Sequence, residues 1–413
     1  IVDIAAYYDD ISQCNKCGFC QVACPVFRST GHESGVARGR LALLRAIIEG
    51  RLEWGPDIED PLFDCLLCGA CTANCFPAIP TAELVLKARS EYLEKVGRKP
   101  IHRLLFDQLL PYPHRLHWAA RAVALGKNSG LSDVAQALGL LRIFGRHLPK
   151  ANEIVARFPN RAFRDKNKPG IYEGRGDSLR VGYFVGCGVD VITQNAGSAT
   201  LQRLKKIARD VHILDNCCCG LPAWSYGDVA AAQRLAKKNV GIFASKELDV
   251  IVTDCSSCAS FLKKYSTVFP SGHRLHGTAV SLEGRVRDMV MLLFENQTRP
   301  AAKKEPLRVS YHDPCHAARG QGIVKEPREI LNRLPGIIYE ELPEADWCCG
   351  GAGSYAVAHH ALSRQVLDRK MDNLKKTRAD ILATSCPACV IQLSFGVRRH
   401  GLNTRVCHIS EIL

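Results

Sequence analysis

Residues 14–25 read CNKCGFCQVACP, and residues 65–77 repeat the same cysteine spacing as CLLCGACTANCFP. Both stretches have the pattern C-x2-C-x2-C-x3-C. A proline directly follows the last cysteine of the first stretch and is displaced by one residue in the second. With this spacing a short loop can place three thiolates around one [4Fe–4S] cube, while the fourth cysteine reaches a second cube. The two stretches therefore predict a domain that binds two cubane clusters.

The two predicted ligand sets each combine three cysteines of one stretch with the last cysteine of the other. The first cluster is expected on Cys14, Cys17, Cys20 and Cys75, and the second on Cys65, Cys68, Cys71 and Cys24. Zinc bound by C-x-x-C pairs is the alternative, but zinc rarely needs the third and fourth cysteines at these offsets. No C-x-x-C pair is followed by histidine, which excludes the attachment motif of a c-type haem.

Length and composition are those of a chain with two or three domains. The 413 residues are 46% hydrophobic and include 20 cysteines, and 55 Lys and Arg against 41 Asp and Glu give a formal charge of +14. No apolar run reaches the ~18 residues that a membrane-spanning helix requires. In a long chain with an ordinary core composition, so many cysteines favour metal ligation over a disulfide scaffold. Bound clusters are anionic, which offsets part of the basic excess and weakens the case for a nucleic-acid partner.

Helical periodicity surrounds the first two cysteine stretches. Apolar residues recur at the helical period from Leu41 to Ile48, and residues 82–96 also read as a helix. Arg38 and Arg40 precede the first of these helices, and both a solvated role and a role facing a cluster or a partner remain open for them. Residues 1–97 are therefore predicted to form a helical domain.

The cysteines after residue 180 follow a different spacing, which occurs twice. The first set is Cys187, Cys218, Cys219, Cys255 and Cys258, and the second set is Cys315, Cys348, Cys349, Cys386 and Cys389. Corresponding cysteines are offset by 128 to 131 residues, and each set contains C-C-G and then C-x-x-C. The second half of the chain is therefore predicted to be a duplicated unit, with residues 179–300 as the first copy and 301–413 as the second.

Short buried strands are predicted before the cysteines of each copy. They cover Val181–Val185, Val211–Leu214 and Val250–Thr253 in the first copy, and Leu307–Tyr311, Ile337–Leu342 and Ile381–Thr384 in the second. Helical stretches such as 229–244 and 358–374 follow, so each copy is predicted to be an α/β layer with parallel strands. Because the carboxyl ends of parallel strands meet at one edge, each cysteine set should converge there. Gly186-x-Gly188 lacks the third glycine of a dinucleotide loop, so a nucleotide site is rejected.

The middle segment, residues 98–178, has no cysteine. Amphipathic helices are predicted at Leu104–Leu110, Leu116–Leu125 and Val134–Phe144, and a basic, glycine-containing linker at Pro159–Arg180. Basic amphipathic helices bind membrane surfaces or partner subunits, and here docking or packing is favoured over insertion into a membrane.

The repeat of C-C-G and C-x-x-C resembles the pair of CCG domains of heterodisulfide reductase. Joined to a helical two-cluster domain, it most resembles the iron–sulfur subunits of bacterial glycolate oxidase (glycolate dehydrogenase). The D-subunit of heterodisulfide reductase and the iron–sulfur subunit of anaerobic glycerol-3-phosphate dehydrogenase share this layout. Residues 311–316 (YHDPCH) and 384–389 (TSCPAC) also fit the family. The resemblance covers nearly the whole chain and implies a multidomain α plus α/β architecture: a helical ferredoxin domain, a helical connector and a duplicated α/β CCG domain.

The resemblance also implies that each complete CCG set holds a noncubane [4Fe–4S] cluster on its five cysteines. Two points stay open: Cys217 directly precedes the cysteine pair of the first set, and zinc is an alternative in one site on four cysteines. Cys217 and Cys407 lie outside all four sets and are expected to be ordinary buried thiols.

Four polar residues lie around the first cysteine of the second set, and they are His312, Asp313, His316 and Arg319. His316 and Arg319 are the weak candidates for catalysis. Such groups can orient thiolates or bind a substrate carboxylate, and an ordinary structural role in the loop is an equal alternative. Trp347 is expected to pack rather than to relay electrons.

The chain has no flavin or nicotinamide motif, so any hydride chemistry must belong to another subunit. The resemblance implies an electron-transfer subunit of a glycolate or D-lactate dehydrogenase complex, between an FAD-containing partner and a quinone or another carrier. It implies a cytoplasmic location, with association with the inner face of the cytoplasmic membrane left open. Two alternatives remain: reduction of a disulfide substrate at the CCG sites, and a zinc-loaded structural or nucleic-acid-binding protein.

Overall fold

The computed structural model describes residues 3–141, 147–296 and 306–413. Its amino-terminal part is helical, as predicted, and the two cysteine stretches lie in loops and short helices there. The helices of this part are Tyr8–Ser12, Phe19–Ala23, Pro25–Thr30, Ala37–Ile48, Pro56–Phe63, Ala70–Ala73 and Thr81–Val96, with 3₁₀ turns at Ile4–Tyr7 and Glu33–Gly35.

Two longer helices form the core of this part. Helix Ala37–Ile48 buries Leu41 and Leu44, and helix Thr81–Val96 buries Leu84 and its neighbours one turn apart. A spacing of three or four residues puts these side chains on one face of each helix, where they pack together. Both predicted helices are confirmed, and the cysteine loops pack against their shared core.

The connector between the ferredoxin-like part and the sheets is also largely helical. Its helices are Pro100–Arg103, the π-helical Leu104–Leu109, Pro113–Asn128, Leu131–Ala137, Leu148–Ile154 and Phe163–Lys166. The first two predicted helices are confirmed. The third, predicted at Val134–Phe144, ends at Ala137, because Gly139 adopts a φ of 73° that favours a helix terminus. Residues 142–144 of that prediction lie outside the described residues.

The prediction of a linker at Pro159–Arg180 is wrong at two places, where a helix and a strand form. Phe163–Lys166 forms a helical turn, and Gly170–Glu173 forms strand β1, which pairs antiparallel with a later strand of the first sheet. Phe163 is fully buried, with its ring 5.9 Å from that of Tyr183. Strand β1 lies at the sheet edge and is mostly exposed, so it lacks the apolar alternation from which strands are predicted.

Four parallel strands complete the first sheet. They are β2 (Arg180–Tyr183), β3 (Asp210–Ile213), β4 (Val250–Thr253) and β5 (Val286–Asp288). The order is β1-β3-β2-β4-β5, with Val181 of β2 opposite Val211 and Val250. The surrounding helices are Cys187–Val191, Gln194–Ile207, Leu221–Tyr226, Val229–Ala244, Ser256–Leu262, Tyr265–Val268, His276–Glu283 and Met289–Glu295.

The second sheet has four parallel strands in the order β7-β6-β8-β9. They are β6 (Leu307–Tyr311), β7 (Ile337–Tyr339), β8 (Ile381–Thr384) and β9 (Arg405–His408). The surrounding helices are Cys315–Gln321, Lys325–Asn332, Tyr355–Ala358, His360–Lys376 and Pro387–Arg399, with a 3₁₀ turn at Ile409–Glu411.

The two separate sheets have the same arrangement of three strands at their centre. It is β3-β2-β4 in the first sheet and β7-β6-β8 in the second. All six strands of these centres are at predicted positions, whereas β5 and β9 are missed. Strand β5 has only three residues and β9 begins with an exposed arginine, so neither gives a clear apolar pattern. The domain limits stay predictions, and the limit at residue 300 lies outside the described residues.

The connector exposes large apolar side chains on its helices. Trp118 is 73% exposed and Leu125 is 75% exposed, and Leu131 and Leu138 are similarly open. Within residues 3–141, 147–296 and 306–413, no helix has both the length and the apolar character needed to cross a membrane.

Candidate metal centres

The first cysteine stretch folds around a cavity that opens toward solvent. Lys16 and Gly18 have φ angles of 54° and 89°. These left-handed conformations turn the loop back before helix Phe19–Ala23 begins. The cavity is lined by Cys14, Cys17, Cys20 and Cys75, which are the predicted ligands of the first cluster, and by Cys71. Cys17 is exposed, so this cavity lies close to solvent.

The second stretch has the same local geometry and lines a second cavity. Leu67 and Gly69 have φ angles of 52° and 72°, as their counterparts Lys16 and Gly18 do. The thiols of this cavity are Cys24, Cys65, Cys68 and Cys71, the predicted ligands of the second cluster. The structure thus brings three cysteines of one stretch together with the last cysteine of the other at both cavities, and the ligand assignment stays a prediction.

Arg40 brings a buried positive charge to the second cavity. It is 2% exposed and lines the cavity, and its Nε donates to the carbonyl of Pro61 at 2.6 Å. Its Nη2 has no hydrogen-bond partner among the described residues. A buried cation needs an anionic partner, and a [4Fe–4S] cluster with four thiolates is anionic. The donor set and this charge therefore fit such a cluster, whereas Arg38 is partly exposed and pairs with Glu33.

The five thiols of the first set converge at the carboxyl ends of β2, β3 and β4. Cys187 follows β2, Cys218 and Cys219 follow β3, and Cys255 and Cys258 follow β4. The Sγ atoms of Cys187 and Cys218 are 3.9 Å apart. Cys219 contacts Cys258, which in turn contacts Cys255. The predicted convergence at one sheet edge is therefore present in the first copy.

The second set repeats this arrangement at the ends of β6, β7 and β8. Cys315 contacts Cys348, and the Sγ atoms of Cys349 and Cys389 are 3.5 Å apart. Cys389 also contacts Cys386. A group bound by these thiols would be held by segments that follow three different strands at one edge of the sheet.

The two sets meet at Cys255 and Cys386, whose side chains contact each other. Around this contact, the backbone N–H and the hydroxyl of Ser256 donate to the carbonyl of Ser385 at 3.1 and 2.9 Å. The Ser257 hydroxyl lies 3.3 Å from the Cys386 thiol. The ten thiols of the two sets consequently form one continuous row, and none of them is in a disulfide.

The second cavity adjoins this row at the second set. Cys68 is close enough to Cys348 and Cys315 for the charges of their thiolates to interact. The hydroxyl of Tyr355 donates to the carbonyl of Asp64 at 3.0 Å, which joins the two parts of the chain next to these thiols. The spatial order is therefore the first cavity, the second cavity, the second set and then the first set.

Family models match the chain in the same order as these sites. A 4Fe-4S dicluster domain matches residues 10–79, and the linker region of the glycolate oxidase iron-sulfur subunit matches residues 97–155. The cysteine-rich domain CCG matches residues 181–263 and again 309–394.

Relatives extend this match over the whole chain. The "Probable glycolate oxidase iron-sulfur subunit" of Bacillus subtilis (strain 168) is 29% identical over 98% of this chain and 93% of that protein. The chain is thus similar over nearly its whole length to a glycolate oxidase iron–sulfur subunit. The "Glycolate oxidase iron-sulfur subunit" of Escherichia coli (strain K12) is 25% identical over 97% of this chain and 92% of that protein. "Lactate utilization protein A" of Geobacillus sp. (strain WCH70) is 28% identical over 57% of this chain and 99% of that protein.

The two weak catalytic candidates occupy different surroundings. His316 lies between the two sets, with its Nδ1 3.2 Å from the Ser257 hydroxyl. Arg319 pairs with Asp346 at 2.6 Å and packs beside Gly69 in the loop of the second cavity. Arg319 therefore joins the ferredoxin domain to the second copy, and its role in binding or catalysis stays a prediction.

His312 lies inside the second set. Its ring, Cys349 and Cys389 form a buried group in which the ligand atoms are all within 4.8 Å of one another. Burial, and then the charge of Lys370, lower the pKa of His312 to about 3, so the imidazole is neutral near pH 7. A neutral imidazole offers one nitrogen lone pair and one N–H group.

Asp313 and Trp347 make structural contacts. Asp313 accepts from both terminal nitrogens of Arg328, at 2.9 and 2.8 Å. The indole N–H of Trp347 donates to the carbonyl of Val366 at 3.3 Å, and the guanidinium of Arg369 lies 4.2 Å from a ring centroid. These contacts support the structural interpretation of Asp313 and the packing role expected for Trp347.

The two remaining cysteines lie outside the thiol row. The thiol of Cys217 contacts Asn239 Oδ1 at 3.4 Å and the carbonyl of Leu235 at 3.6 Å. Cys407 is buried on β9, in the core between the sheet and its helices. Both are buried thiols, as expected, and Cys218 and Cys219 are the members of the triple that join the row.

A buried ion pair beside the first set is missed by the sequence analysis. Asp190 accepts from the Nε of Arg164 at 2.8 Å and lies 2.7 Å from the Nε2 of His117. The partners are 26 and 73 residues away from Asp190, so no local spacing connects them. Arg164 also belongs to the segment predicted as a linker. The first cysteine loop is thus fixed from outside by the connector.

Proposed function

We propose that this chain is the electron-transfer subunit of a flavin-dependent 2-hydroxy-acid dehydrogenase complex, with glycolate or D-lactate as the oxidised acid. A flavoprotein partner removes the electrons from the acid, and a quinone or another carrier receives them. The observation that carries this proposal is the series of adjoining thiol sites, from the exposed Cys17 through Cys68 and Cys348 to Cys187. The names of the relatives indicate the substrate class.

Iron–sulfur clusters bound at these sites supply one-electron transfer. We assign two cubane clusters to the two cavities and one metal group to each CCG set. The chain itself holds the thiols at loop positions fixed by sheet edges and helix cores. It also removes them from water, since most thiols of the two CCG sets are buried. Arg40 adds a positive charge beside the second cavity, which favours an anionic group there.

The glycine loop at Gly186 supports a division of labour between subunits. A side chain at Gly186 would lie 3.3 Å from Cys258 Sγ, so this loop approaches the thiol row closely. We therefore assign that loop to the metal site rather than to a nucleotide. In the proposed complex, hydride chemistry belongs to the flavoprotein partner.

The connector is the proposed docking surface for that partner. Large apolar side chains exposed on one segment, such as Trp118 and Leu125, mark interaction sites in proteins. The complex is proposed to be cytoplasmic. Association of the connector with the inner face of the membrane is the alternative occupant of this surface, and vesicle binding by the isolated chain would distinguish it.

The test is reduction of the chain by substrate in the purified complex. The complex is isolated without oxygen from its native host, its subunits are identified, and glycolate or D-lactate is added while the visible absorption is followed. We expect bleaching of the iron–sulfur absorption with one of these acids. In a Cys68→Ser variant we expect loss of substrate-dependent reduction of the sites beyond the second cavity.

The matched control is Cys217→Ser, because this buried thiol lies outside the row and should leave the bleaching unchanged. A complex without a flavoprotein, or bleaching by neither acid, would reject the proposal. Reduction of a disulfide by the isolated chain with a reduced dye would instead support the heterodisulfide-reductase-like alternative. A colourless zinc-containing chain would reject both redox functions.

A further inference from the structure

The second CCG set contains a buried imidazole whose two ring nitrogens are not both satisfied by the protein. His312 is 1% exposed, and neither of its ring nitrogens makes a well-aligned hydrogen bond among the described residues. The backbone of Ala345 lies near the ring and can satisfy one ring nitrogen, which leaves the other nitrogen without a partner. Buried polar groups are nearly always bonded, because an unpaired one loses its bonds to water without replacement. A group that binds between the thiols of this set can restore a partner to His312.

The position of the ring fits a metal ligand. His312 offers a nitrogen within 4.8 Å of the Sγ atoms of both Cys349 and Cys389. These three residues follow three different strands, β6, β7 and β8. Their ligand atoms therefore approach one point from three segments of the chain. Imidazole nitrogen and thiolate sulfur together are a donor set typical of zinc and iron sites.

The nearby cation does not supply the missing partner. Lys370 is fully buried, and its ammonium donates to the carbonyls of Glu344 and Ala345. An ammonium group can only donate hydrogen bonds, and that of Lys370 donates to these two carbonyls. A ring nitrogen of His312 is therefore left for another group to bind.

The first copy contains a natural comparison at the equivalent position. The backbone N–H of Phe184 donates to the carbonyl of Val252 at 2.8 Å, and that of His312 donates to the carbonyl of Ala383 at 2.9 Å. Both residues directly follow the central strand of their sheet and are buried. Phe184 can only pack, with its ring 6.0 Å from that of Phe243, whereas His312 can bind a metal.

We propose that His312 is a nitrogen ligand to a metal ion of the group held by Cys349 and Cys389, so that the two CCG sites are chemically unequal. The first site then has thiolate ligands alone. In the second site the metal is either zinc or an iron of a cluster. Both would be bound by imidazole and thiolate. This proposal concerns the metal site alone and does not depend on which acid the complex oxidises.

The test uses the full chain, purified without oxygen with its metals bound, in ordinary form and with ¹⁵N-labelled histidine. X-ray absorption at the iron and zinc edges and pulsed EPR of the reduced chain are recorded for the wild type and for His312→Phe. This substitution places the residue of the first copy in the second. His400→Gln is the matched control, because His400 pairs with Asp368 far from the thiol row.

We expect a histidine nitrogen bound to metal in the wild type and in His400→Gln, and its absence in His312→Phe. If the metal is zinc, the nitrogen is expected at about 2.0–2.1 Å, with sulfur as the other neighbours. If the metal is iron, the EPR coupling is expected to change between ¹⁴N and ¹⁵N histidine. The second-set metal should also be lost to a chelator about 10–100-fold faster in His312→Phe.

A wild-type chain without a metal-bound histidine nitrogen at either edge or in the EPR spectrum would overturn the proposal. The same holds if His312→Phe retains that nitrogen. Should His312→Phe fail to fold, His312→Gln serves as the second variant, and the isotope comparison on the wild type decides without any substitution. None of these measurements requires substrate turnover, so a failure here is distinct from a failure of the proposed function.

Discussion

The two CCG copies place their thiols on the same frame and surround them with different side chains. Tyr183 and Tyr311 are fully buried at equivalent ends of β2 and β6. The first donates to the Asp254 carboxylate at 2.6 Å, and the second donates to the Ser385 hydroxyl at 2.9 Å. The same tyrosine thus meets a carboxylate in one copy and a neutral group in the other.

This difference teaches that duplication of a binding frame does not produce two equal redox sites. Burial raises the pKa of Asp254 to about 6, so this group is still mostly anionic near pH 7. Burial lowers the pKa of Lys370, beside the second set, to about 8, so it is still mostly cationic. A nearby positive charge favours an added electron and a negative charge opposes it. These two charges taken alone therefore favour reduction at the second set.

The largest expected difference between the copies is in the stability lost when an ion pair beside the first cysteine of each set is removed. Asp190→Ala is expected to destabilise the chain by about 3–5 kcal/mol, because it leaves the Arg164 charge buried without its carboxylate partner. Asp313→Ala is expected to cost about 1.5–3 kcal/mol, since Arg328 is partly exposed and keeps its pair with Glu341. Denaturant unfolding of the metal-loaded chain measures both changes.

Asp190→Asn is the control for charge, because it keeps an oxygen acceptor for Arg164 and removes only the negative charge. Its loss of stability should fall between those of the wild type and Asp190→Ala. A larger loss of unfolding free energy in Asp313→Ala than in Asp190→Ala would contradict this prediction. The ion pair of the first copy would then not be the stronger of the two.

The glycine of the C-C-G motif gives a second, smaller difference between the copies. Gly220 and Gly350 have φ angles of 99° and 80°, so alanine is strained at both positions. A Cβ at Gly350 would lie 2.6 Å from the carbonyl oxygen of Ser363, whereas at Gly220 the nearest atom is in the Phe261 ring at 3.3 Å. We expect Gly350→Ala to cost about 2–4 kcal/mol and Gly220→Ala about 1–2 kcal/mol.

The unfolding midpoint and the metal content of the two glycine variants test this prediction together. Gly350→Ala should also lower the metal content of its set, since the backbone shift moves the preceding cysteine pair. Equal losses in the two variants would show that strain in φ alone accounts for the motif. The contact with Ser363 would then have no measurable cost.

Much of this architecture follows from local sequence, because cysteine spacing and strand pattern are local properties. The two stretches around Cys14 and Cys65 predicted the grouping of thiols in the two cavities, and the strands before Cys187 and Cys315 lie where the apolar runs indicated. The glycolate oxidase family resemblance, confirmed by the relatives, added the order of the domains.

The features that the sequence did not reveal depend on contacts between distant segments. The meeting of Cys255 with Cys386 depends on how two sheets pack, and no spacing encodes it. Arg40 reads as one basic residue among many until the fold buries it at the second cavity. Strand β1 is too exposed to have an apolar pattern, and its pairing with β3 is what orders it.

The smallest expected effect concerns the extra cysteine of the first copy. Cys217→Ser should retain the metal content of the wild type and change stability by less than about 1 kcal/mol, because the hydroxyl can replace the thiol against Asn239. Cys218→Ser should lose metal from the first set. Metal analysis and unfolding of both variants measure the contrast, and loss of metal from Cys217→Ser would place Cys217 among the ligands.

The second copy explains why Cys217 should behave this way. Its counterpart is Trp347, which also directly precedes the cysteine pair. The thiol of Cys217 contacts the carbonyl of Leu235, and the indole N–H of Trp347 donates to the carbonyl of Val366. Both carbonyls belong to the second helix after the cysteine pair of their copy. A tryptophan cannot bind a metal through its N–H, yet it occupies the same place. The position therefore anchors the C-C-G loop to its helix, and Cys217 does this with a thiol.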